Sequence, residues 1–152
     1  MTSTRIASPS DASEIAELLV AFNTEFEVPT PAAAVLADRL STLLHSEDTF
    51  AILEGGPARG VALVTLRRNV WYSGRVALLD ERYVNPEDRN HGIGSKLIQH
   101  LFAVAKERSL ALIEINVDEG DIDAQRFYSR HHFPAADPDT HERDFYYYRE
   151  FE

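Results

Sequence analysis

Three patterns follow one another without a break between Val76 and Ala105, and together they restrict the folds open to this chain. Residues 76–84 form an extended apolar run, residues 85–91 a polar turn, and residues 93–105 an amphipathic run with helical spacing. A strand that passes through a short turn into a helix leaves the first amides of that helix without intrahelical acceptors. Gly92 and Gly94 carry no Cβ, so the backbone there can come close to a ligand. Amides at the positive end of a helix dipole suit a diphosphate.

The 152 residues are expected to form one domain, residues 1–152. A chain of this length buries about 68–70% of its unfolded surface, enough for a core without staples. It contains no cysteine, which excludes disulfides, zinc–thiolate sites and thiol nucleophiles. The first residues lack an apolar signal region, and no run approaches the ~20 residues that span a bilayer. The expectation is a cytoplasmic protein with no membrane partner. A net charge of −10 argues against a nucleic-acid partner, because phosphate contacts need a basic surface. The same charge steers cationic substrates inward, although an acidic surface also simply aids solubility. Arg89, His91 and Lys96 form a local cationic exception.

Residues 4–7 read as a short strand ended by Ser8-Pro9. Asp11 and Glu14 have the spacing of a capping box opening a helix over 11–22. Thr30-Pro31 reads as the cap of a second helix through Val35, Leu36, Leu40, Leu43 and Leu44. Residues 49–53 and 61–66 flank Gly55-Gly56-Pro57 as a hairpin, and residues 76–85 make a third strand of the meander. A helix over 93–107 follows the glycine turn. Residues 110–117 are apolar enough for a strand covered on both faces. A short helix over 123–130 and strands at His132-Phe133 and 145–151 close the chain.

The glycine turn has neither the second spacing of a dinucleotide fingerprint nor the Gly-Lys-Ser/Thr of a P-loop. Its pattern is Arg89-Asn90-His91-Gly92-Ile93-Gly94, and a second motif, Ala124-Gln125-Arg126-Phe127-Tyr128, stands before the closing strands. On these two motifs the chain resembles the GNAT superfamily of acyl-CoA-dependent N-acyltransferases, most closely over residues 51–133. The resemblance implies an α+β fold: a mixed, mostly antiparallel sheet of about seven strands, flanked by four helices and splayed between the fourth and fifth strands.

It also implies acetyl-CoA as cosubstrate, a primary amine as acceptor, and direct attack in a ternary complex. Asn90 through Ser95, that is Asn90, His91, Gly92, Ile93, Gly94 and Ser95, would hold the pyrophosphate together with Arg89. The pantetheine arm would run beside Arg82, Tyr83 and Val84, with the Val84 N–H polarising the thioester carbonyl. Asp121 occupies the position where the family often has an asparagine on the pantetheine, and a carboxylate cannot donate there. Tyr128 would protonate the leaving thiolate, since tyrosine is protonated at neutral pH. The base would be Asp80 or Glu81: strand alternation puts Asp80 with Val84 on one face, whereas a bulge would favour Glu81.

Candidates for the acceptor pocket are Asn23, Glu25, Phe26, Glu27, Trp71 and Tyr72, with Asp137 and Asp139, whose carboxylates and rings suit a cation. His131, His132 and His141 lack the spacing of a metal set, so no metal is expected. The aromatic tail from Phe145 to Tyr148 reads as a covered strand, a candidate seam for a homodimer. The contrasting reading is a non-catalytic module that binds or senses acyl-CoA.

Overall fold

The computed structural model describes residues 3–152; Met1 and Thr2, part of the N-terminal stretch read above, lie outside them. The chain divides into two compact units, one ending at Ile115 and the other beginning at Asn116.

The first unit holds one sheet of five strands in the order β1-β2-β3-β4-β5. Its elements are β1 (Thr4–Ile6), α1 (Ala12–Glu25), α2 (Ala33–His45), β2 (Thr49–Glu54), β3 (Gly60–Arg67), β4 (Val76–Val84), α3 (Ile93–Glu107) and β5 (Leu112–Ile115). The first four strands pair antiparallel and β5 joins β4 in parallel. Alternation along the strands makes two apolar faces. Ala51, Leu53, Val61, Leu63 and Tyr83 pack with Ile15, Ala16, Leu18 and Leu40 from α1 and α2. Ile52, Ala62 and Val64 point the other way, the side on which α3 lies against β2 and β3. There Gly60 is required for close approach, since a Cβ would stand 2.9 Å from Ile93 Cγ2 and 3.2 Å from the Tyr83 carbonyl oxygen.

Two features of β4 position the site. Its pairing with β5 covers only Val76 to Leu79, so residues 80–84 continue with no strand along that edge among the described residues. On the other edge, Leu63 pairs with Glu81 while Val64 pairs with Leu79, which leaves Asp80 as the extra residue of a β-bulge.

The helix starts differ from the sequence expectation. The capping box lies one turn earlier, between Ser8 and Asp11 on a 3-10 turn, and Asp11 is clamped by Arg5 at 2.8 and 2.9 Å. Glu14 instead accepts the Ala58 amide, tying α1 to the β2–β3 hairpin. The second helix begins at Ala33 with Ala32 at its cap, so Thr30-Pro31 precedes it rather than capping it. β5 is half-buried rather than covered, because among the described residues only β4 flanks it.

The second unit contains α4 (Ile122–Arg130) and the chain beyond it. Here the expected seven strands reduce to five. His132 takes φ +67°, and the amides of His132 and Phe133 turn back to Ser129 and Tyr128, so this pair ends α4 rather than starting a strand. Residues 141–152 have no strand assignment, and Phe145, Tyr146, Tyr147, Tyr148 and Phe151 are 68–88% exposed. Their aromatic composition favours a strand, but a strand needs a ladder partner and none is present among the described residues. Among the described residues no helix is long and apolar enough to cross a membrane.

Candidate active site

The end of β4 and the start of α3 build the site. After Val84 a 3-10 turn over Pro86–Asp88 leads to Asn90, at φ +64°, and then to Gly92, at φ +79°, the N-cap of α3. A Cβ at Gly92 would meet nothing within 4 Å, so the space beside this backbone is open. Ile93 and Gly94 begin the helix, where N–H groups have no intrahelical acceptor. Buried Ile93, Leu97 and Leu101 fix this first turn to the sheet.

The cations of the turn are largely occupied. Arg89 meets Glu25, the last residue of α1, with its two terminal nitrogens at 2.7 and 2.8 Å, and its Nε reaches the Val84 carbonyl at 3.1 Å. The Arg89 guanidinium holds the Glu25 carboxyl below its ordinary value, and the Tyr83 hydroxyl, 3.1 Å away, adds to this. Lys96 stands 3.6 Å from Glu54, a buried carboxylate that also accepts from Ser3 and Thr4. Burial pushes Glu54 up, but those hydroxyls and the Lys96 ammonium outweigh it, leaving its carboxyl lowered. The Nδ1 of His91 faces the Asp88 carbonyl at 3.2 Å. An anion in this turn would therefore rest chiefly on main-chain amides. Sequence reading missed Glu54; its one signal is an acid closing the otherwise apolar run of β2.

The open edge of β4 has the right polarity for an extended ligand. The Asn85 amide donates to the Arg59 carbonyl across the β3 side at 2.9 Å, so strand alternation aims the Val84 N–H toward the opposite, open edge. The Arg82 amide shares that direction. The Tyr83 side chain is buried, stacked on Phe22 at 5.0 Å, so only its backbone borders the groove.

The bulge changes the reading of the two carboxylates. Glu81 pairs opposite Leu63, on the face of Tyr83 and α1, while Arg82 pairs opposite Ala62 on the other face. Asp80 bonds the Thr65 hydroxyl, and Thr65 alternates onto the Leu63 face. Asp80 and Glu81 thus share one face, and Asp80 does not share that of Val84. Burial raises the Glu81 carboxyl, and the Asp80 charge raises it further. Burial also raises Asp80, against the opposing Thr65 bond. Asp80 is the more exposed of the two, so Glu81 has the drier setting for a base.

The remaining candidates scatter. Asn23 and Phe26 lie at the end of α1 beside Glu25, with Phe26 edge-on to Phe22 at 5.4 Å. Glu27 follows in a left-handed conformation. Trp71 and Tyr72 are exposed in the loop that enters β4 at the end opposite Val84.

In the second unit, Asp121 caps α4, accepting the Ala124 amide at 3.0 Å, and so has a structural task of its own. Tyr128 is buried, with its ring edge-on to Phe133 at 5.7 Å. Asp137 accepts the amides of Asp139 and Thr140, which hold its carboxyl low. Among the described residues no group of three or more His, Cys, Asp or Glu could hold a metal ion.

The Acetyltransferase (GNAT) family matches residues 13–133 of this sequence. A crystal structure of a candidate acetyltransferase from Arthrobacter sp. FB24 is 46% identical, with a TM-score of 0.92 over 99% of this chain and 97% of that one. An aminoglycoside acetyltransferase from an uncultured soil metagenomic sample, in complex with sisomicin, is similar in fold at 18% identity, with a TM-score of 0.81 over 99% and 97% of the two chains. The ribosomal-protein-alanine N-acetyltransferase of Brucella melitensis biovar Abortus 2308 is 22% identical, with a TM-score of 0.79 over 99% and 100%. No protein of curated function matches the sequence.

Proposed function

Because the chain belongs to the GNAT family of acetyltransferases, we propose that it moves an acetyl group from acetyl-CoA to a primary amine by direct attack in a ternary complex. One observation carries this reading: the edge of β4 over residues 80–84, along which no strand runs among the described residues, leads directly into the open turn at Gly92. Acetyl-CoA supplies an acetyl thioester and a diphosphate. The amides of residues 90–95 hold the diphosphate, with bonds to charged acceptors worth about 1.5–3 kcal/mol each. Arg89 acts indirectly, by fixing the Val84 carbonyl and the end of α1.

The Val84 N–H donates to the carbonyl oxygen as negative charge grows there. Glu81 takes the proton that the amine nitrogen loses as its bond to the carbonyl carbon forms, directly or through a water. Asp80 supports it by keeping its carboxyl raised. As the carbon–sulfur bond breaks, Tyr128 gives its hydroxyl proton to the departing sulfur. The amide and the free thiol are the products, and no side chain is acylated.

The acceptor is a cationic amine in bulk solution, drawn by the acidic surface and deprotonated at the site. The test is thiol release from acetyl-CoA across a panel holding an aminoglycoside, a polyamine and an alanine-terminated peptide, with CoA affinity measured by calorimetry. Thiol release dependent on one amine supports the proposal. CoA binding without release for any amine would make the protein a binding module, and absence of CoA binding would end both readings.

A further inference from the structure

We propose that the loop joining β3 to β4 docks an acidic segment of a partner protein, with Trp71 packing on the segment's apolar side chains and Arg67, Arg68 and Arg75 holding its carboxylates. The charge of the chain is unevenly spread. Residues 55–79 contain four arginines and no aspartate or glutamate, so all 25 carboxylates lie outside them. Three of those arginines flank the loop, and its tip is apolar: Val70, Trp71 and Tyr72 are 88%, 83% and 45% exposed. Single exposed apolar residues are ordinary, but three in succession between arginines form a patch. Trp, Tyr and Arg are also the residues that dominate binding energy at protein interfaces.

The loop is held ready. At the tip, Asn69 accepts the Trp71 amide at 2.9 Å. At the base, the Ala111 amide donates to the Arg75 carbonyl at 2.9 Å, and a Cβ on Gly74 would stand 2.6 Å from the Ser109 carbonyl oxygen. A loop fixed in this way loses little entropy when it binds. The arginines already show which groups they take. Arg75 pairs with Asp48, and Arg67 lies 3.4 Å from Glu114, in partly exposed pairs that water screens and a partner can replace. Arg68 is exposed and has no hydrogen bond or ion pair among the described residues. A cleft of about 430 Å³ is lined by all three arginines, with Glu47, Asp48 and Leu66. A carboxylate entering it meets three guanidinium forks.

A short protein segment suits this surface better than other anions. A bilayer or a single-stranded nucleic acid extends past the loop, where it meets the acidic remainder of the chain. A small anion engages the arginines and leaves the apolar tip uncovered. An acidic segment with one large apolar residue uses both.

Trp71 is the one tryptophan of the sequence, so its emission reports on this loop alone. The test titrates the full chain with synthetic peptides in which aspartates and glutamates flank one leucine, valine or phenylalanine. Each is run beside a counterpart carrying asparagine and glutamine. The expected result is a saturable shift to shorter wavelength with at least one acidic peptide and none with its counterpart, weakening as salt rises. Arg68→Glu should melt like the parent, since it removes no bond, and should weaken that binding by about tenfold or more. Arg68→Lys should retain part of it. No shift with any acidic peptide, an equal shift with the counterpart, or undiminished binding by Arg68→Glu would each overturn the proposal. So would a shift caused by anionic vesicles or a single-stranded oligonucleotide and by none of the peptides. None of these outcomes bears on acetyl transfer itself.

Discussion

The Glu25 carboxylate accepts from both terminal nitrogens of Arg89, at 2.7 and 2.8 Å, across 64 residues of sequence. The same guanidinium reaches back to the Val84 carbonyl, so one side chain joins the end of α1, the end of β4 and the turn before α3. Arg89 is the first residue of the glycine motif, and its charge is spent within the protein. It shapes the turn and leaves the amides beyond it for the proposed diphosphate.

Glu25→Gln removes the charge and keeps the shape. The two side chains are 28% and 39% exposed, so the pair contributes about 1 kcal/mol after screening. That corresponds to a melting temperature about 2–4 °C lower at pH 7. Because Arg89 holds the Glu25 carboxyl low, the contribution is present above the ordinary carboxylate range and is lost as pH falls through the lowered value. The difference between the two proteins should therefore close in acid. CoA affinity should fall by about tenfold, a change of ~1.4 kcal/mol, as the turn loosens. Equal melting temperatures at pH 7 would remove the strap.

Two glycines separate ligand space from packing. At Gly92 a Cβ meets no protein atom but forces a left-handed backbone, at about 1–2 kcal/mol. Gly92→Ala should melt a few degrees lower and lose CoA binding by far more than tenfold, since the methyl enters the open space. At Gly60 the Cβ collides with Ile93 and the Tyr83 carbonyl, so Gly60→Ala should cost about 1–3 kcal/mol of stability. Melting curves and calorimetric titration with CoA, run on both variants, should show the larger loss of affinity in Gly92→Ala and the larger loss of stability in Gly60→Ala.

Tyr128→Phe deletes the proposed acid while keeping a buried ring against Phe133. The turnover number should drop by about 10²-fold or more while CoA affinity stays within about twofold. An acyl donor with a more acidic thiol needs less help in leaving, so it should recover most of the lost rate. Full activity toward acetyl-CoA would remove Tyr128 from the reaction.

What the sequence made legible was whatever depends on near neighbours. The strand-turn-helix around Gly92 follows from periodicity and missing Cβ atoms, and it stands where residues 76–105 placed it. The capping box was misplaced by one turn because Asp11 answers to Ser8 and Arg5, while Glu14 is drawn to Ala58. The bulge at Asp80 comes from the register against β3, which no local pattern encodes. The Glu25–Arg89 pair, read separately as acceptor and cofactor residues, is a contact between distant segments. Phe145 to Phe151 has the composition of a strand, but composition alone does not supply a ladder partner.

The bulge also makes the choice of base testable, because it sets Asp80 and Glu81 on one face with unequal access to water. Burial raises Glu81 and the neighbouring charge raises it again, so its proton affinity moves toward neutrality, where a base works best. Glu81→Gln should lower kcat/KM by about 10²-fold or more at neutral pH and abolish the fall in rate toward acid. Asp80→Asn should act mainly through Glu81, shifting the acid limb to lower pH with a smaller loss of rate. Stability carries the opposite sign. A carboxyl raised by folding favours the native state below its ordinary value, and that advantage is lost as pH climbs through the raised one. At neutral pH the buried charge is therefore a burden, and Glu81→Gln should melt higher than the parent there and equally near pH 4. A variant that is inactive but no more stable at neutral pH, with the acid limb unmoved in Asp80→Asn, would return the choice of base to another group.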